Sequence, residues 1–151
     1  MMDEDSRNDR KRSLELLWRA KDSNDPSAIA EFEPDWTAVE VAVSNTFHAG
    51  GFARLNIDPP DGGWLIVLAM DAAPGYCRLT LSTNDADRKF RFLEWANGTP
   101  DLEPVVLLDH PWKSQTICYE FDAALSAFRR VFDNPDLIFE DVSEFKSPWL
   151  P

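Results

Sequence analysis

The stretch Gly51–Thr83, GFARLNIDPPDGGWLIVLAMDAAPGYCRLTLST, constrains the fold more than any other part of the chain, because it reads as three consecutive β-strands joined by two tight turns. In the first turn Pro59 and Pro60 remove backbone donors and end a strand, while Asp61-Gly62 tolerates the positive φ of a hairpin turn. In the second, Pro74-Gly75 fits the two central positions of a type II turn. Between them Trp64 to Met70 is apolar without a break, which predicts a central strand covered on both faces. The flanking segments alternate: Ala53, Leu55 and Ile57 oppose Phe52, Arg54 and Asn56, and Cys77, Leu79 and Leu81 oppose Arg78, Thr80 and Ser82. That period of two predicts half-buried neighbours.

The remaining segments are placed around this meander. Residues 1–8 are dense in mixed charge and are expected to be disordered. Leu14, Leu17 and Trp18 stand at i, i+3 and i+4, which predicts a short N-terminal helix from about Asp9 to Lys21. Ser27 to Phe32 is expected to add a helical turn before Pro34, and the β-branched run Trp36 to Val43 to be extended. Lys89 to Trp95 alternates as a strand. Val105 to Leu108 reads as a short buried strand closed by Asp109-His110-Pro111, and Gln115 to Tyr119 as a further extended piece.

Glu120 to Phe132 carries the strongest helical pattern. Phe121, Ala124, Leu125, Phe128, Val131 and Phe132 share one face, with Glu120 and Asp122 at the positive end of the dipole and Arg129 and Arg130 at the negative end. Asp133-Asn134-Pro135 stops it, and Leu137-Ile138-Phe139 predicts a last strand. The fold class that follows is α+β in a single domain: a mostly antiparallel sheet of about five or six strands, a C-terminal helix packed on one face and a short N-terminal helix. A chain of 151 residues can bury roughly 68–70% of its unfolded surface, enough for a core without staples.

Charge carries the main functional information. The chain holds 27 acids and 15 bases, a net charge of −12, and residues 1–22 are neutral, so the whole excess falls on the later residues. A plain solvated surface and complementarity to a basic partner both fit this balance, whereas nucleic acid is not expected because phosphate contacts need a basic stripe. Cys77 and Cys118 lie on apolar strand-like stretches and are expected to be buried free thiols. Without a secretory leader, a lipidation motif or a long apolar run, the chain is expected in the cytoplasm and not at a membrane. His48 and His110 are the only histidines, with no HxH, HExxH or CxxC spacing, so neither a metal nor a cofactor is expected. No glycine-rich phosphate loop or nucleophile elbow occurs, no catalytic residue stands out, and a non-enzymatic role is expected.

From Phe52 to Val142 the order of segments resembles the first-numbered immunity protein family of bacterial polymorphic-toxin systems. The residues that carry the resemblance are ARLNI (Ala53–Ile57), the central apolar strand ending in Met70-Asp71, the helix AALSAFRRVF (Ala123–Phe132), and LIFED (Leu137–Asp141) after a proline turn. Phe139-Glu140 stands where that family often has a tryptophan followed by an acid. The resemblance implies an antiparallel sheet with helices, no catalysis, and a cognate toxin domain as the partner, occluded stoichiometrically. Two other classes are weighed beside it: a small hydrolase or isomerase using carboxylate acid–base chemistry, and a structural or adaptor subunit.

If the strands from Phe52 to Leu108 run up and down, the turns at 59–63, 84–88 and 109–112 share one end of the sheet. That end would gather Asp58, Asp61, Asp85, Asp87 and Asp109 with Trp64 and Trp112, and these seven residues are the expected toxin-binding surface. Turn aspartates that bond their own backbone are the simpler account of the same acids.

Overall fold

The structure, a computed structural model, describes residues 13–21, 28–58, 65–84, 90–97, 103–107, 109–133 and 145–146. The meander of the central stretch is present: β3 (Gly51–Asp58), β4 (Leu65–Ala73), β5 (Tyr76–Asn84) and β6 (Phe90–Trp95) pair in sequence, all antiparallel. Gly75 has φ 90°, as the type II turn requires, and its N–H donates to Phe47 O at 3.0 Å.

The sheet is larger than the meander. Beyond β3 come β1 (Ser13–Ala20) and then β2 (Ile29–Phe32), while β10 (Phe145–Lys146) adds to β6 and β9 (Ile117–Cys118) extends the same side of β5. Among the described residues the main sheet therefore has eight strands, against the five or six expected. β7 (Val105–Leu107) lies outside it and, among the described residues, pairs with β8 (His110–Trp112) alone as a separate hairpin. Of the extended piece expected at Gln115–Tyr119, Ile117–Cys118 is strand β9, while Gln115 and Thr116 belong to the 3-10 turn Ser114–Thr116. The expected strand at Leu137–Phe139 lies outside the described residues.

Three further expectations are corrected. No helix occupies the first described residues: Ser13–Ala20 is a strand fully registered against β3, from Ser13↔Asp58 to Ala20↔Gly51. The leucines fit both periods, and Leu14, Leu16, Trp18 and Ala20 make a strand face that a helical count conceals. Contact with β3 decides between them. The close approach is built for: a Cβ at Gly51 would sit 2.0 Å from Arg19 O, and the backbone there has φ 123°. Residues 29–32, expected as a helical turn, form β2.

The run expected to be extended at Trp36–Val43 is helix α1 (Trp36–Ala49). Asp35 caps it, its carboxylate accepting from Ala38 N at 2.8 Å, and Val39, Ala42, Val43, Thr46 and Phe47 are its buried positions. That i, i+3, i+4, i+7, i+8 stripe outweighs the β-preference of individual valines, which is weak and set by context. Helix α2 (Phe121–Asp133) agrees with its expected span to one residue at each end.

Both helices pack on the same face of the sheet, and they run antiparallel. Trp36 at the start of α1 meets Phe132 near the end of α2 (ring centroids 5.6 Å apart), and Phe47 near the end of α1 meets Phe121 at the start of α2 (5.6 Å). The core lies between helices and sheet, from Leu16 through Leu55, Leu68 and Leu79 to Phe128. Strand β4, expected to be covered on both faces, is instead buried on every second residue: Ile66, Leu68, Met70 and Ala72 face the helices, and Leu65, Val67, Ala69 and Ala73 are half-buried on the other side.

Cys77 and Cys118 are free and buried, as expected, and stand directly opposite each other across β5 and β9. Cys118 Sγ donates to Glu120 O at 3.2 Å. The hydrogen bond between the two sulfurs, together with burial, pushes the Cys77 thiol far up and leaves Cys118 as the sulfur better able to carry charge.

Candidate binding face

Strand registers define what the helix-free face presents. One row across it runs Phe32, Glu15, Asn56, Val67, Ser82 and Phe92 from β2 to β6. The next runs Ala30, Leu17, Arg54, Ala69, Thr80 and Glu94. Apolar and charged side chains thus interleave on a surface that is half exposed over most of its width. Local pairs hold it in place: Asn56 Nδ2 donates to Glu15 Oε1 at 3.2 Å, and the Arg54 guanidinium lies 5.6 Å from the centre of the Phe52 ring.

The most buried part of this face is organised by Arg78. Its Nη2 donates to Glu94 Oε2 at 2.8 Å, and its guanidinium lies 3.7 Å from the centre of the Trp112 ring. A buried guanidinium in that position combines a charge-assisted bond with stacking on an indole, two things that a lysine could not supply together. Its Nε is buried without a hydrogen-bond partner. Tyr76 Oη, two residues earlier on the same face, donates to Val106 O at 3.0 Å. These two contacts pin the β7–β8 hairpin over β5.

Asp71 stands opposite Arg78 in the β4–β5 register. Burial pushes its carboxyl above the usual range near 3.8, and the charges of Arg54 and Arg78 pull against that rise. A carboxyl held this way can exchange a proton closer to neutral pH than an exposed one. The histidines are not beside it to form a relay: His48 bonds Ser44 O at 2.8 Å on α1 and touches Phe121, and His110 stacks on Trp112 with centroids 4.4 Å apart. Among the described residues no group of three or more His, Cys, Asp or Glu side chains is placed to hold a metal ion.

Of the seven residues expected to bind, Asp61, Trp64, Asp85 and Asp87 lie outside the described residues. The strand ends that flank them do share an end of the sheet, since Leu65 pairs with Asn84 and Asn84 with Phe90. Asp58 is there too, exposed and opposite Ser13. Trp112 is elsewhere. It covers Arg78, six residues along β5 from Asn84, which is about 20 Å at the rise of a β-strand. Asp109 sits at the turn of the β7–β8 hairpin with φ 62°, a conformation that aspartate tolerates, so its presence there has a backbone reason of its own. The separation follows from β7 leaving the meander, a step that no local signal in Val105–Leu108 reveals.

Sequence reasoning passed over Asp71, Arg78, Glu94 and Phe32. Asp71 had a signal, a lone acid within the apolar run LIVLAMDAA. Arg78 and Glu94 had none, because their meeting depends on the register of β5 with β6.

Residues 17–138 match the model of a family of unknown function, DUF6911, and the chain belongs to that family. Among solved structures, a hypothetical protein from Neisseria gonorrhoeae is similar, with a TM-score of 0.64 and 14% sequence identity over 83% of this chain and 90% of that one. At that identity the likeness concerns the fold. No curated protein matches the chain.

Proposed function

We propose that this DUF6911 protein is a stoichiometric binding protein, an immunity protein that neutralises a cognate bacterial toxin domain by covering it, and that it works without turnover in the cytoplasm. The observation that carries this reading is the helix-free face, where Leu17, Phe52, Val67 and Phe92 remain half exposed among charged neighbours. Aromatic and aliphatic anchors ringed by polar groups suit a protein partner. The surplus of 27 acids over 15 bases favours a basic one. In this reading the acidic end of the sheet, with Asp58, Asp61, Trp64, Asp85 and Asp87, steers the toxin domain, and Asp109 and Trp112 contribute from the β7–β8 hairpin.

The test is to co-express the chain with the product of each gene adjacent to its own and to titrate any purified pair by calorimetry. One-to-one binding with loss of toxin activity is expected, with an association rate that falls as salt rises and falls further in Asp58→Lys and Asp85→Lys. Binding without inhibition, or no binding at all, overturns the reading.

One observation favours a second reading. Asp71, raised by burial and next to Arg78, is the kind of carboxyl that acid–base catalysis uses. Turnover of a small ester, glycoside or carbonyl substrate by the isolated protein, abolished in Asp71→Asn with the fold intact, would select a hydrolase or isomerase instead.

A further inference from the structure

We infer that the outer edge of β2 is a docking site for an extended, basic segment of a partner protein, which adds to the sheet as a further antiparallel strand. The inference rests on the protein being a binding module, and not on the partner being a toxin.

The backbone makes the edge available in a defined pattern. Glu33 N donates to Leu14 O at 2.8 Å, and Leu14 N donates to Glu33 Oε1 at 3.3 Å, so Leu14 and Glu33 face each other across β1 and β2. Antiparallel pairs alternate between those that exchange backbone bonds and those that do not. Counting from Leu14 and Glu33, the pairs Leu16↔Glu31 and Trp18↔Ile29 point their backbone groups inward. At Glu15↔Phe32 and Leu17↔Ala30 the β2 residue points outward. Ala30 and Phe32 therefore direct N–H and C=O away from the sheet. Among the described residues β2 pairs with β1 alone.

Side chains make the edge adhesive. Phe32 is 76% exposed and Ile29 is 40% exposed, on opposite faces of the same short strand. Natural edges are blunted by short length, charge, lysine, proline or a bulge; Ile29–Phe32 is four residues long and carries Glu31, but has no lysine, proline or bulge. An added strand would cover Phe32 with one set of alternate side chains and Ile29 with the other.

Charge selects the occupant. Glu15 lies opposite Phe32, Glu31 and Glu33 flank it, and Asp35 follows at the α1 cap. Four acids around one exposed phenylalanine call for lysine or arginine alternating with apolar residues. A second copy of the chain is disfavoured in the register of greatest overlap, which bonds Ala30 to Phe32 of the copy, because it sets Glu31 against Glu31 and like charges directly opposite destabilise a pair.

The test uses the full chain and a nine-residue capped peptide alternating valine and lysine, with an alternating valine–glutamate peptide as the control. Binding of the basic peptide should be at least about tenfold tighter at low salt, and should slow amide exchange at Ala30 and Phe32. Ala30→Pro removes an outward donor and no ladder bond, so it should keep the fold and lose the peptide about tenfold or more. Equal binding of the two peptides, unchanged binding by a folded Ala30→Pro, or a free protein that sediments as a dimer with Ala30 and Phe32 already protected would each overturn the inference. A toxin that binds Ala30→Pro and the parent equally leaves the proposed function standing and removes the edge from it. Peptide capture without any toxin partner does the reverse.

Discussion

Strand β4 has two faces made from consecutive residues, and they serve different ends. Ile66, Leu68, Met70 and Ala72 are shut under α1 and α2 with at most 1% exposure, while Leu65, Val67 and Ala69 alternate with them on the half-exposed side. The covered face is apolar throughout, and its packing supplies the stability of the fold. The open face mixes Arg54, Asp71, Arg78 and Glu94 with valine and phenylalanine, and its most buried region among the described residues is a polar cluster roofed by a hairpin. A sheet stabilised from one side leaves its other side free to carry polar and charged groups.

The sharpest way to break this contrast is to put a charge on each face. Phe128→Asp places an unpaired carboxylate at a side chain with no exposure, in contact with both helices' core, and should abolish folding or remove more than about 4 kcal/mol. Val67→Lys, on the open face, should stay folded within about 1 kcal/mol. Circular dichroism with urea titration reads both, and equal effects would show that the open face is as essential to the core as the covered one.

A smaller effect is expected at the polar cluster. Arg78→Met leaves Glu94 partly buried without its partner and takes the guanidinium from beneath Trp112, and about 3 kcal/mol of stability should be lost. Adding Glu94→Gln should recover part of that loss. Amide exchange in β7–β8 should accelerate in the single variant, since the hairpin then keeps only the Tyr76–Val106 bond of its two pins. A neutral result would mean that the Tyr76–Val106 bond seats the hairpin without help from Arg78.

The smallest effect is a pH dependence. Burial raises Asp71 above its ordinary value near 3.8, so the folded state holds that proton more tightly than the unfolded chain. The contribution to stability is greatest below the unfolded value and declines as pH rises through the folded one. Asp71→Asn lacks this decline. Across the window above pH 3.8 the stability difference should therefore move in favour of the variant as pH rises. A difference that stays flat would place Asp71 in a well-solvated setting and weaken any catalytic role for it.

The amino-acid sequence by itself determined the parts of this protein whose signals are local. Pro74-Gly75 allows few conformations other than a tight turn, the alternation in Phe52–Ile57 and Cys77–Ser82 suits a strand and no helix, and the stripe from Phe121 to Phe132 is long enough to exclude a strand. The burial of both thiols follows from the strands that carry them. Tertiary structure alone decided the segments that satisfy two periods at once. SLELLWRA has apolar residues at both helical and strand spacing, and pairing with β3 along its whole length settles it as β1. WTAVEVAVSNTFHA has strand-forming valines, yet a helix buries Val39, Ala42, Val43, Thr46 and Phe47 together against the sheet, a set that an extended chain would split between its two faces. The same holds for the candidate site: Trp112 meets Arg78, and Phe32 reaches an edge that is unpaired among the described residues, through strand order and register, and those depend on contacts between residues far apart in the chain, which no window of sequence contains.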